Sequence, residues 1–168
     1  MLLKNSGIYI LAKTIPGLMA FSALAVYTHL LTPSEYGIYT LIFSAALFLH
    51  SAIYNWLPVG LMRFWPGGTY TDTSFVSTLG VLYFRLSIPV LICTALAIAI
   101  AGMEWALPIL AGLLLLTGFA TLTVGQQMLS AQMRPNSYAL MTISYSILAL
   151  SIGGLMAYLG FGPVGVVL

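Results

Sequence analysis

Long apolar runs alternate along this chain with short clusters of Pro, Gly, Asn, Ser and charged residues. A helix rising 1.5 Å per residue needs about 20 predominantly apolar residues to cross a hydrocarbon core of about 30 Å. Five runs reach that length, at approximately 7–31, 36–62, 76–101, 105–128 and 138–159. A further apolar stretch begins at 163–168, within GFGPVGVVL. The pattern predicts an all-α polytopic membrane protein of about five transmembrane helices, as a single membrane domain over 1–168.

Each run is bounded by residues with a reason to stop or start a helix. In LLTPSEYG, Thr32 suits an N-cap, Pro33 the first helical position, and Glu35 falls three residues after the cap, the spacing of a capping box. Glu35 is therefore assigned to backbone N–H groups and not to chemistry. RFWPGGTYTDTS reads as a loop outside the bilayer, with Asp72 starting the next helix. Residues 102–104 form a tight turn before Trp105, and MRPNS separates the fourth run from the fifth. Lys4 and Lys13, with the apolar stretch from Ile15 and Ala23-Leu24-Ala25, also resemble a cleavable secretory signal. Against cleavage, the apolar pattern starts at Ile8, before Lys13, and continues to Leu31 with no boundary.

Composition agrees with the pattern. Hydrophobic residues make up 61% of the chain and charged residues 5%, and the mean hydropathy is +1.06. A soluble domain is closer to about 45–50% apolar and about 25% charged, so a water-soluble fold is excluded. Five basic and three acidic side chains leave no basic patch for nucleic acid. No Cys/His cluster, paired carboxylate, nucleophile elbow or phosphate-binding glycine loop occurs. No catalytic residue, metal ligand or cofactor is assigned, and a non-enzymatic role is expected. His29 and His50 read as isolated interfacial or packing side chains, and the lone Cys93 as a packed thiol.

The cations set the expected orientation, because Lys and Arg accumulate in short cytoplasmic loops. Lys4, Arg63 and Arg134 fall on one side, and the opposite loops hold Glu35 and Glu104. The N-terminus is expected inside and the C-terminus outside. Trp56, Trp65, Tyr70, Trp105, Tyr36 and Tyr138 fall near span boundaries, where amphipathic rings anchor.

Within lipid, small and polar residues mark the face a helix turns toward its neighbours. Such stripes run through Ser6, Tyr9, Lys13, Gly17, Ala20 and Tyr27 in the first span. They recur at Thr117, Thr121 and Gly125 in the fourth, and at Thr142, Ser146, Ala149, Gly153 and Ala157 in the fifth. Each Ser or Thr hydroxyl is expected on its own helix carbonyl, with a water-lined cavity as the alternative. Pro16 and Pro89 each remove a helix hydrogen bond and are expected to bend their spans. Lys13 and Arg85 stand out further, since a cation at mid-helix costs about 2.5–3.5 kcal/mol on insertion scales. Both lie roughly 10–15 Å from the cytoplasmic end, within snorkelling reach of headgroups. Turned inward, they would form an unneutralised positive site suited to an anion.

The segment LLTPSEYGIYTLIFSAALFLHSAIYNWLPVGLMRFWPG carries a resemblance in Leu31, Thr32, Glu35, Tyr36, Gly37 and Tyr39, then Gly60, Leu61, Arg63, Phe64 and Pro66. It is similar to the first periplasmic turn, second helix and following cytoplasmic loop of the bacterial polysaccharide-biosynthesis and O-antigen flippase family. That family belongs to the multidrug/oligosaccharidyl-lipid/polysaccharide exporter superfamily. The resemblance implies an inner-membrane carrier moving an undecaprenyl-diphosphate-linked oligosaccharide by alternating access between two bundles. Lys13 and Arg85 would then be the substrate-binding cations. The five spans answer to the N-terminal part only, so a second half-bundle is an expected partner, along with the lipid-linked oligosaccharide, the bilayer and membrane glycosyltransferases. A cation-coupled drug exporter of the same superfamily would show carboxylates within its helices, and none is present. A non-transporting scaffold or assembly subunit is the other alternative.

Overall fold

Thr32 shows how the chain turns between its first two helices. Its side chain accepts from the Glu35 backbone N–H at 3.4 Å, and Glu35 Oε2 accepts from the Thr32 N–H at 2.9 Å. The capping box read from the sequence is therefore formed, with Pro33 in the first turn. The computed structural model describes residues 2–65 and 72–167, with backbone alone at 2–6 and 72–75. Tyr70 and most of the predicted loop lie outside the described residues, as do the side chains of Lys4, Ser6 and Asp72.

Among the described residues every regular element is helical. They are α1 (Leu2–Leu30), α2 (Pro33–Ile53), α3 (Trp56–Phe64), α4 (Asp72–Ala101), a 3-10 turn (Met103–Trp105), α5 (Ala106–Ala131), α6 (Pro135–Tyr158) and α7 (Gly162–Val167). Five candidate spans are long and apolar enough to cross a bilayer: Gly7–Leu30, Pro33–Phe64, Val76–Ala101, Met103–Ala131 and Pro135–Tyr158. The all-α, multi-pass membrane class is thus what the chain adopts.

The second span departs from the sequence reading, which drew it as one helix over 36–62. It breaks at Tyr54 and Asn55, and the cause is Pro58. Proline has no N–H to give the Tyr54 carbonyl four residues back, and its ring crowds that carbonyl. Leu57 N–H bonds Tyr54 O instead, at 3.0 Å, while the His50 carbonyl accepts from both Tyr54 and Asn55 at 2.9 and 3.1 Å. By contrast, α1 and α4 continue as helices through Pro16 and Pro89.

Helix pairing follows chain direction. Spans one and five run parallel: Tyr9 meets Tyr138 at one end, and Tyr27 meets Gly153 nearer the other. Spans two and four also run parallel, with Ile42 against Gly112, Phe43 against Phe119 and His50 against Thr123. α4 packs antiparallel on α5 through Tyr83. α3 folds against the C-terminal half of α5, and α7 wedges between α2, α5 and α6. These contacts gather the starts of α1 and α6, Arg63 and Arg134 at one end of the bundle. Glu35 lies at the other, beside Gly162.

The buried side chains form three clusters. The largest joins Tyr54, Leu57, Val90, Leu116 and Ala120 toward the basic end. Two smaller ones, around Tyr27 with Ala157 and around Ile42 with Ala111, both include residues of α7.

Candidate functional site

Because lipid offers no hydrogen bonds, a polar side chain inside a span seeks partners on neighbouring helices. In this bundle such partners collect in one layer. Counted at 1.5 Å per residue from the basic ends of their spans, Lys13, Arg85, Thr123, Gln126 and Thr142 all lie roughly 8–14 Å deep. His50 is held at the same level by its contact with Thr123, and Tyr83 and Ser87 flank Arg85 on α4.

The layer has a consistent donor logic. Thr123, Thr142, Thr121 and Ser87 each donate their hydroxyl hydrogen to a carbonyl of their own helix, at 2.8–2.9 Å. This is the expected habit of hydroxyls in apolar helices. Their lone pairs then accept from other helices. His50 Nε2 lies 3.2 Å from Thr123 Oγ1, Tyr54 Oη 3.2 Å from Ser87 Oγ, and Gln126 Nε2 donates to Thr142 Oγ1 at 3.2 Å. Tyr83 Oη lies 3.3 Å from the Thr117 carbonyl and 3.2 Å from Thr121 Oγ1. Among the described residues no buried side-chain nitrogen or oxygen lacks a partner. An aromatic column rises from this layer along α2: Tyr54 stacks on His50, His50 meets Phe119 at a tilt, Phe119 meets Phe43 edge to face, and Phe43 meets Tyr39 at a tilt.

Lys13 and Arg85 share the depth of the layer but are not brought together. Both are exposed, and neither has an acidic partner among the described residues. On α4 the packed side chains are Leu79, Leu82, Tyr83, Leu86 and Val90. At about 100° per residue Arg85 points away from that face. On α1 the face turned toward α6 carries Ala12, Met19, Ala23 and Tyr27, and Lys13 sits at its edge.

The stripe read in the first span is thus rotated by rather less than one residue from the real contact face. Tyr9 and Tyr27 pack, whereas Gly17 and Ala20 are exposed and a Cβ on Gly17 would touch nothing. The reason is that the contacts are made by rings on α1, Tyr27 against the small Gly153 and Tyr9 against the ring of Tyr138. The stripe in α6 holds except at Ala149, which is exposed; Thr142, Gly153 and Ala157 are buried. In α5, Thr117 and Thr121 meet Tyr83, and Gly125 faces Met141. Cys93 is exposed, contrary to the packed thiol expected from its apolar run, because it opens into the space between α2, α4 and α5. The sequence reading did not single out Tyr54, Tyr83, Ser87 or Gln126; their signal was a polar group within an apolar run at matching depth.

A cavity of about 820 Å³ is an apolar groove between α2, α4 and α5, with Ile42, Ala46, Val90, Cys93, Gly112 and Leu116 among its walls. A smaller one of about 190 Å³ lies beneath α3, lined by Leu57, Leu61, Tyr83, Thr121 and Met128. Neither Lys13 nor Arg85 lines either cavity. Among the described residues no His, Cys, Asp and Glu group could hold a metal ion. No family model, curated protein or solved structure matches the chain.

Proposed function

We propose that the chain is one helix bundle of a carrier that flips a lipid-diphosphate-linked oligosaccharide across the bacterial inner membrane for surface polysaccharide synthesis. The observation that carries this reading is the pair of cations, Lys13 and Arg85, at similar depth on exposed flanks of membrane helices, with no carboxylate beside them among the described residues. An ionisable side chain inside a membrane span points to a functional site, and at this depth the two cations can also reach the headgroup level from which an anionic lipid headgroup would enter. Two such charges suit a diphosphate, whose oxygens they would bind as charge-assisted acceptors.

In this mechanism the N-terminus and the Arg63 and Arg134 loops face the cytoplasm, and the C-terminus faces the periplasm. The diphosphate enters from the basic end and bridges Lys13 and Arg85 across a hollow closed by a second half-bundle. The sugars lie along hydroxyl and aromatic groups, and the lipid tail stays in the bilayer. Release on the far side follows when the two bundles rock and the cations lose their approach to the cytoplasm. No bond is made or broken, so no catalytic residue is required.

The test replaces Lys13 and Arg85 together by Gln in the host that carries the chain. Surface glycan is expected to be lost while the protein still inserts and accumulates in the membrane. Unchanged glycan rejects the role of the two cations. A second reading, a scaffold holding membrane glycosyltransferases, is favoured by the apolar groove that neither cation lines. Copurification with such an enzyme, and no flipping in reconstituted vesicles, selects the scaffold.

A further inference from the structure

His50 has a place that the proposed carrier mechanism does not use. It is 8% exposed and lies one turn before the break between α2 and α3. Its Nε2 faces Thr123 Oγ1 at 3.2 Å, and Thr123 spends its own hydroxyl hydrogen on the Phe119 and Ala120 carbonyls, at 2.9 and 3.1 Å. The threonine oxygen is left to accept, which assigns a neutral imidazole carrying its hydrogen on Nε2. Nδ1 makes no hydrogen bond, and yet no sealed side-chain nitrogen among the described residues is without a partner. Nδ1 is therefore not sealed within the protein and is free to take a proton.

The surroundings decide what that proton does. From its own helix His50 meets Tyr54, with ring centroids 6.5 Å apart, and from α5 it meets Phe119 at 6.2 Å and Thr123. Among the described residues α4 approaches it through Tyr83, whose ring is tilted against Tyr54 at 5.4 Å between centroids; Arg85 points away from that packed face of α4. α3 turns no titratable group toward it, since Arg63 is exposed and lies over Phe64. α7 carries none, and the tyrosines of α1 and α2 that pack together, Tyr27, Tyr36 and Tyr39, are farther up the column. Among the described residues no carboxylate is there to neutralise an imidazolium. The charge would rest on the ring faces of Tyr54 and Phe119 and on water.

The break leaves one carbonyl for water: Asn55 gives its N–H to the His50 carbonyl, so Ser51 O loses its usual helical donor, whereas Tyr54 O takes the Leu57 N–H in place of the bond that Pro58 cannot give. Broken helices inside membranes place such carbonyls where ions bind. We infer that His50 is a proton-binding site whose occupancy sets how α3 sits against α5: packed when the imidazole is neutral, displaced and hydrated at the break when it is charged. This inference does not depend on which substrate, if any, the bundle carries.

The chain has two histidines, so His29→Gln leaves His50 as the sole imidazole. With that full-length variant in lipid nanodiscs and ¹⁵N-labelled histidine, the spectrum at high pH is expected to show the Nε2–H tautomer. Between about pH 5 and 8 it should convert to imidazolium. Trp56 follows the break directly; with Trp65→Phe and Trp105→Phe its emission is expected to move to the red over the same pH interval. The shift should be lost in His50→Gln. An imidazole that stays in one protonation state across that range overturns the proposal, and so does a titration that leaves Trp56 unmoved. Both decisive readouts use native His50, so a poorly folding His50 variant does not blunt the test. Loss of glycan transport on changing Lys13 and Arg85 would be a separate result, since those variants keep His50.

Discussion

The hydroxyl of Tyr27 occupies the space that a Cβ on Gly153 would fill, and this relationship locks α1 to α6. Tyr27 is 5% exposed, and the same Cβ would also come within 3.3 Å of the Val166 carbonyl on α7. Neither neighbour has room to retreat. Gly153→Ala is expected to destabilise the bundle by about 1–3 kcal/mol, the usual cost of overpacking. Tyr27→Phe should recover part of that loss in a double-mutant cycle followed by unfolding in mixed detergent micelles. Gly17→Ala is the control: with open space around it, it should be neutral or stabilising by about 0.5–1 kcal/mol, because helix glycine carries an entropic penalty. Equal losses at Gly17 and Gly153 would mean that the α1–α6 seam lies on the wrong face.

The contrast between those two glycines shows what the sequence could and could not carry. Spans, caps and turns are local: Thr32 and Glu35 announce their box by spacing, and Gly102, with φ +92°, marks its turn. The face a membrane helix turns inward is not local, because both its faces are apolar and a stripe of small residues can meet either a neighbour or lipid. Gly17 and Gly153 look alike in the chain; only the presence of Tyr27 opposite one of them separates their roles. The break at Tyr54 was missed because Pro58 stands in the first turn of a new helix, where proline is welcome. The polar layer was half legible. Its hydroxyls Thr121 and Thr142 stand in the stripes of α5 and α6, but Tyr83 reaches the first from α4, 38 positions earlier, and only the folded seam brings Gln126 of α5 to the second.

Two helices end in the same way with different residues, and this gives a second prediction. After α6, Gly160 adopts φ +82°, its N–H bonds Ala157 O, and Phe161 N–H bonds Met156 O. After α5, Met133 adopts φ +52°, with its N–H on Ser130 O and the Arg134 N–H on Leu129 O. Both are Schellman endings, whose left-handed residue is normally glycine. Gly160→Ala is expected to cost about 1 kcal/mol, whereas Met133→Gly should stabilise by a similar amount. Thermal unfolding of the purified protein reads both. Opposite signs are the expected result; a loss at Met133 would mean that its side chain holds a contact in spite of its 86% exposure.

The orientation assigned to the carrier can be checked at two exposed methionines. Met133, in the Arg134 loop, and Met103, in the turn beside Glu104, are 86% and 85% exposed. In a Cys93→Ala background, Met133→Cys should be shielded from a membrane-impermeant maleimide added outside intact spheroplasts, and Met103→Cys should label. Lysis should expose the first. The reverse pattern would place the basic loops outside and remove the cytoplasmic entry proposed for the diphosphate.

The break between α2 and α3 offers the most direct conformational test. If Pro58 causes it, Pro58→Ala supplies an N–H to the Tyr54 carbonyl and relieves the crowding of the ring, a change of about 3 kcal/mol in favour of a continuous helix. A straightened second span would carry Leu57 and Leu61, now 2% and 1% exposed, away from their seat on α5. Spin labels at Met62, which is 48% exposed, and at Met133, beyond the end of α5, report the separation of the two segments without disturbing the seat itself. Double electron–electron resonance is expected to show a longer distance in Pro58→Ala than in the parent, again with Cys93 replaced. An unchanged distance would mean that packing of Leu57 and Leu61 on α5 bends the span regardless of proline. The hinge beneath His50 would then be a consequence of tertiary contact and not of the local sequence.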